Sequence, residues 1–225
     1  MSIWTEPPSR LDRARIVEAA ISVADESGAG AVTMKAVAAR LEVTPMALYR
    51  YVRNKEGLVD LMLDTATAEI PLTGSSSWRP ALHALALETR AMIKRHPWYA
   101  ELVHTRPPAG PNQMRRLEFM LAVLTAEGAT LAEAMTQSAM LDRHVFGAGL
   151  QEAMESRFEA PSAVSEAMSD MRARAAGKHP NLAKWLSAPS GPSMDDQFEL
   201  VLGFLLDGIA TQLPRDKENS GGAGI

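Results

Sequence analysis

The chain has 225 residues, 46% of them hydrophobic, and no cysteine, which supports a packed interior and excludes disulfides, a thiolate nucleophile and a cysteine-ligated zinc. No apolar run reaches the roughly 18 residues a membrane span needs, and the N-terminal MSIWTEPPSRLDRAR has no apolar targeting core, so a cytoplasmic protein without membrane contact is expected. The net charge of −4 is unevenly spread: from Arg10 to Lys55 eight basic residues meet five acidic ones, the basic head and acidic body of a nucleic-acid reader joined to a second module.

Helical periodicity dominates, and no alternating β-branched run is long enough for a sheet, so the spacing predicts an all-α chain. A first helix is expected from about Leu11, with Ile16, Ala20, Val23 and Ala24 on one face, closing at ESGAG. Thr33 caps a short second helix whose apolar set is Met34, Val37, Ala38 and Leu41. Thr44 as cap and Pro45 as first helical residue open a third helix that runs to about Tyr51. Asn54 caps a fourth, with Leu58, Leu61, Met62 and Thr65 inward, which ends at Pro71 and TGSSS.

Short helices joined by so tight a turn have helix-turn-helix geometry, in which the later helix enters the major groove. Thr33, Thr44, Tyr49, Tyr51 and Lys55 then sit where hydroxyls, amides and an ammonium group hold phosphates. Lys35, Pro45, Met46, Ala47 and Arg50 face outward, toward base edges and thymine methyls.

From Ser77 a helix is expected to about His96, broken by Pro97, and RPPAGP reads as a loop. Two long helices follow over 112–127 and 130–157, with Gly128 closing the first and Thr130 capping the second. Residues 158–195 carry helical SAVSEAMSDMRARAA among prolines and are expected to be mobile. The last helix opens with Asp195 and Asp196 and is apolar around most of its circumference. Phe198, Val201, Leu202, Leu205 and Ile209 form one stripe, while Leu200, Phe204 and Leu206 load other faces. Such a helix is expected to be buried both in its own domain and against a second copy of the chain. The closing PRDKENSGGAGI has the composition of a disordered tail. The expected division is residues 1–70, 71–213 and 214–225.

The run VTMKAVAARLEVTPMALYRYVRNKEGLVDLM resembles the DNA-binding head of the tetracycline-repressor family. HTRP at 104–107, LEFMLAVLTAEGATLAEAM at 117–135 and the FELVLGFLLDGIATQL ending are similar to that family's ligand-binding and dimerisation core. The resemblance covers nearly the whole chain. It implies a homodimer on one palindromic double-stranded DNA operator, released when a small-molecule effector fills a pocket in the body. It places the ten head residues named above at phosphate-contacting and base-facing positions. It puts Leu102 and Arg143 where members that bind a magnesium-chelated drug carry histidines, and Arg106 follows Thr105 in the pocket-lining element. Because leucine and arginine ligate no metal, an effector bound without metal or cofactor is expected. Glu42 departs from the turn glycine usual in the family.

Among other pocket candidates are His104, His144, Met114 and Met140. The sequence GAGL at 147–150 reads as a close helix approach in the dimer. An enzyme reading fails on spacing: Glu133, Asp142, Glu152 and Glu155 share a helix, but none is followed at i+3 by the histidine of a di-iron site. A DNA-binding protein without an effector is the other reading, and the large apolar body counts against it.

Overall fold

The computed structural model describes residues 11–74, 77–155, 161–188 and 191–214; Arg10 of the basic head and residues 215–225 of the expected tail lie outside them. Among the described residues the chain is helical and has no strand. Helix α1 spans Arg13–Ser27, α2 Met34–Arg40, α3 Pro45–Leu48 and α4 Lys55–Ala68. Three of the four begin on a side-chain cap. Asp12 accepts from the Arg15 amide at 2.9 Å, Thr33 from that of Ala36 at 3.0 Å and Asn54 from that of Gly57 at 2.8 Å. The apolar stripes then close on one another through Ile16, Ala20, Val37, Leu48, Leu58 and Met62, all fully buried. Burying each of the large aliphatic side chains in this set contributes about 1.5–3 kcal/mol.

The third helix is shorter than its pattern suggests. It is α-helical only over Pro45–Leu48, after which the Tyr51 and Val52 amides both bond the Leu48 carbonyl, at 2.9 and 3.0 Å. This tightened last turn buries Val52 and frees Asn54 to cap α4. Thr44 occupies the cap position of α3, but its hydroxyl makes no capping bond. In α4, Thr65 is exposed and Leu61 half-buried, contrary to the expected stripe. The helix is packed on two sides, against α1 and against the body, so the buried set is Leu58, Val59, Met62, Leu63, Asp64, Ala66 and Thr67.

The body comprises α5 (Trp78–Arg95), α6 (Trp98–Leu102), a 3-10 turn at Val103–Thr105, α7 (Pro111–Ala126), α8 (Leu131–Glu155), α9 (Pro161–Ala175), α10 (Pro180–Leu186) and α11 (Met194–Gln212). At 25 residues, or about 37 Å, α8 is its axis and packs against α5, α6, α7 and α11. Thr130 and Glu133 cap α8 reciprocally, and Ser193 and Asp196 do the same for α11. The inward stripe of α11 is Phe198, Leu202, Leu206 and Ile209. Leu206 therefore belongs to it and Val201 does not, and Leu200, Val201 and Phe204 form an exposed apolar face.

Head and body share one continuous core. Their seam is pinned by Asp25 at the end of α1, which accepts from the Trp98 indole at 2.6 Å and lies 2.8 Å from His96 Nδ1. Glu69, just past α4, lies 3.0 Å from His96 Nε2 and pairs with Arg95 at 2.8 Å.

The GAGL stretch makes its close approach inside the chain. A Cβ on Gly149 would come within 2.5 Å of the Ile93 side chain on α5, whereas one on Gly147 would meet nothing within 4 Å. Gly149→Ala is therefore expected to lose about 1–3 kcal/mol of stability by overpacking, and Gly147→Ala to lose none, measured by urea denaturation of the two variants beside the parent.

Candidate functional site

The α2–α3 turn decides how the head presents its surface. The Glu42 amide bonds the Ala39 carbonyl at 3.2 Å and the Val43 amide that of Ala38 at 3.0 Å, the paired bonds of a Schellman ending. That ending needs a left-handed residue, and Glu42 supplies it at φ 56°, the one non-glycine residue with positive φ among those described. A side chain there costs about 1–2 kcal/mol relative to a relaxed backbone. Lys35, Thr44, Pro45, Met46, Tyr49, Arg50 and Lys55 are exposed, and Ala47 and Tyr51 are half-buried. Thr33 is exposed too, its oxygen engaged in capping α2.

Charge availability sorts these residues further. Arg40 is consumed by a two-bond pair with Glu26, at 2.7 and 2.6 Å. Lys35, Arg50, Arg53 and Lys55 are exposed and make no ion pair among the described residues. Exposed and uncommitted cations suit a polyanion. Arg53 adds to the residues expected from the sequence, and its charge was the only signal for it.

The body holds a cavity of about 350 Å³ between α4, α6, the 3-10 turn, α7 and α8. Of the eight candidates, His104, Arg106 and Arg143 line it; Leu102, Thr105, Met114, Met140 and His144 do not. Met114 is half exposed on the outer side of α7. His144 points toward α11, stacked on Phe198 with ring centres 4.6 Å apart and Nε2 3.2 Å from the Phe198 carbonyl oxygen. Burial lowers its pKa, against the carbonyl and together with the Arg90 charge. Its role is structural, as part of the α8–α11 packing.

The wall contains groups that the sequence reading missed, chiefly Thr67, Tyr99, Gln113, Arg116, Asp142 and Phe146. Arg116 occupies the apolar stripe of α7, one turn before Met120, and is buried. It bonds Asp142 of α8 at 2.6 and 3.2 Å. Burial opposes its charge, but the charge of Asp142 and its hydrogen bonds outweigh that and raise the Arg116 pKa. Tyr99 is pushed up by burial and so holds its proton. The Thr67 hydroxyl donates to the Leu63 carbonyl at 2.8 Å, which leaves Tyr99 as the donor in the 2.9 Å bond between them. The other carboxylates of α8 are committed one by one: Glu133 to the cap, Glu152 to Arg90, Glu155 to Gln151.

Helix α4 touches both surfaces. From its first turn it carries Lys55 at the head end, and from one stripe it sends Asp60, Asp64 and Thr67 to the body. Asp60 takes a two-bond pair from Arg106, at 2.6 and 2.7 Å. Asp64 is buried and accepts from the backbone amides of Asn112 and Gln113, at 2.8 and 3.1 Å, and from the Asn112 side chain at 2.8 Å. It thereby caps α7 from another helix, against the positive end of the dipole. A Cβ at Gly110 would fall within 2.1 Å of this carboxylate, so only glycine lets the two segments meet.

The tetR family of bacterial regulatory proteins matches residues 16–62, and the tetracycline-repressor-like C-terminal domain matches residues 70–213. The HTH-type transcriptional repressor DrrR1 of Streptomyces coeruleorubidus is 35% identical over 214 residues, covering 90% of this chain and 78% of that one. An HTH-type transcriptional regulator of Saccharopolyspora erythraea is 31% identical over 217 residues, covering 93% and 91%. The fold is also that of ActR from Streptomyces coelicolor, solved in complex with actinorhodin, with a TM-score of 0.82 at 23% identity over 92% of this chain and 100% of that one. The chain belongs to the tetR family of bacterial regulatory proteins and is a transcriptional regulator.

Proposed function

We propose that the protein is a ligand-responsive repressor, which binds a palindromic operator as a homodimer in the cytoplasm and is released when a small molecule fills the body cavity. In this reading residues 1–70 are the DNA-binding head and 71–213 the effector-binding and dimerisation body. The observation that carries it is the α4 stripe: the helix that ends the head is bonded through Asp60, Asp64 and Thr67 to the wall of the cavity. Dimerisation rests on the exposed apolar face of α11, where Leu200, Val201 and Phe204 are 53, 40 and 63% exposed. Three large apolar residues on one face of a helix mark a partner surface.

A dimer must hold its two recognition surfaces about 34–36 Å apart to occupy successive major grooves. A ligand that displaces Tyr99 or the α7 N-terminus tilts α4 and spoils that spacing. Complete reversal needs a state preference of about 5.5 kcal/mol. The buried Asp64 bonds resist the tilt, because unmaking them strands a charged group at about 1–3 kcal/mol or more, and the ligand's preference must exceed that cost. The Asp60–Arg106 pair is partly exposed and screened, so it adjusts the coupling more than it drives it.

Binding to DNA selected from a random pool, or to the DNA flanking its own gene, tests the regulator directly. A failure to prefer any duplex at low salt overturns it. With such a site in hand, Arg50→Ala is expected to relax base preference, whereas Lys55→Ala weakens binding to all sequences and lowers the salt slope by about one, both read by gel shift across salt. Glu42→Gly relieves the left-handed strain and removes a carboxylate from the DNA side, so it is expected to stabilise the head and tighten binding severalfold at low salt. Asp60→Asn is expected to leave operator affinity near the parent value and to reduce the fold-change in that affinity at saturating effector, measured by fluorescence anisotropy.

A further inference from the structure

We infer that the cavity takes an aromatic acid, a planar ring system carrying one carboxylate, with Arg143 as the residue that binds its charge. The inference rests on the cavity being the effector site and adds the chemistry of the effector.

The charges of the wall decide the sign. Three guanidinium groups line the cavity and one carboxylate does, that of Asp142. Two of the three are already neutralised. Arg116 spends its end nitrogens on Asp142, and Arg106 spends its own on Asp60 of α4. Arg143 has no ion-pair or hydrogen-bond partner among the described residues. It is exposed overall yet part of the wall, so it stands where the cavity meets solvent. A cationic ligand would find no free carboxylate there and one guanidinium repelling it. An anion would find a planar fork that matches a carboxylate with two parallel hydrogen bonds.

The shape of the wall sets the rest of the ligand. Phe146 is flanked by Tyr99, with ring centres 5.9 Å apart, and by His104, edge-on at 5.5 Å, while Val103 and Leu117 complete an apolar surface. Rings stack well on such walls in offset and edge-on arrangements. The Tyr99 hydroxyl is committed to Thr67, so it offers the ligand its ring first. A volume of about 350 Å³ lies at the small end of ligand pockets and suits two or three fused rings.

Fluorescence titration of the full chain with anthracene-2-carboxylate and with its neutral isostere anthracene-2-carboxamide tests the assignment. The acid is expected to bind about tenfold or more tightly than the amide, as befits a charged hydrogen bond. Arg143→Gln is expected to bring the two ligands to similar affinity, and Arg143→Lys to restore part of the preference. Equal binding of acid and amide by the parent, a preference that survives in Arg143→Gln, or no saturable binding of either probe would overturn the inference. A parent that prefers the acid through Arg143 but does not release its operator would leave the inference standing and remove the repressor reading. Retained operator binding in both Arg143 variants shows that the head is intact.

Discussion

A buried carboxylate must be met by donors, and Asp64 of α4 is met by the first turn of α7. That requirement organises much of the molecule. It fixes the depth at which α4 lies against the body and forces glycine at position 110. It also makes the N-terminus of the cavity helix α7 depend on a residue of α4. With Thr67 and Tyr99 one turn further on, the link runs through buried groups, where a lost bond is expensive and a shift is transmitted.

The second buried charge, Arg116 with Asp142, works differently. Its partner comes from α8, the axis of the body, so the pair ties α7 to that axis beneath the cavity. A buried ion pair is weak evidence for added stability, since desolvation offsets its attraction. Its effect here is on shape and charge. It takes a carboxylate and a guanidinium out of play and leaves the free charge of the wall to Arg143. The head shows the same bookkeeping at the surface: Arg40 is spent on Glu26, while Lys35, Arg50, Arg53 and Lys55 are exposed without an ion pair among the described residues.

The sequence was most legible where local physics dominates. The expected caps Thr33 and Asn54 bond amides three residues on, and α2 and α4 begin where they imply. The spacing erred at Thr65 and Val201, where the sides from which α4 and α11 are covered were not visible from one helix alone. It erred again in α3, where the chain shortens the helix to bury Val52.

What the sequence by itself determined was the helical class, the order of the helices and the family. Short-range bonds and apolar periodicity act within one segment and leave their mark there. Only the tertiary structure decided which polar residues are spent and which are free, because Asp60 and Arg106 stand 46 residues apart, Asp64 and Asn112 stand 48 apart, and nothing local records such pairs. The same holds for the cavity. Leu102, Thr105, Met114, Met140 and His144 match a pocket by position along the chain, but where a side chain points depends on the helices packed around it. The fold turns these five away and brings in Tyr99, Gln113, Arg116 and Phe146.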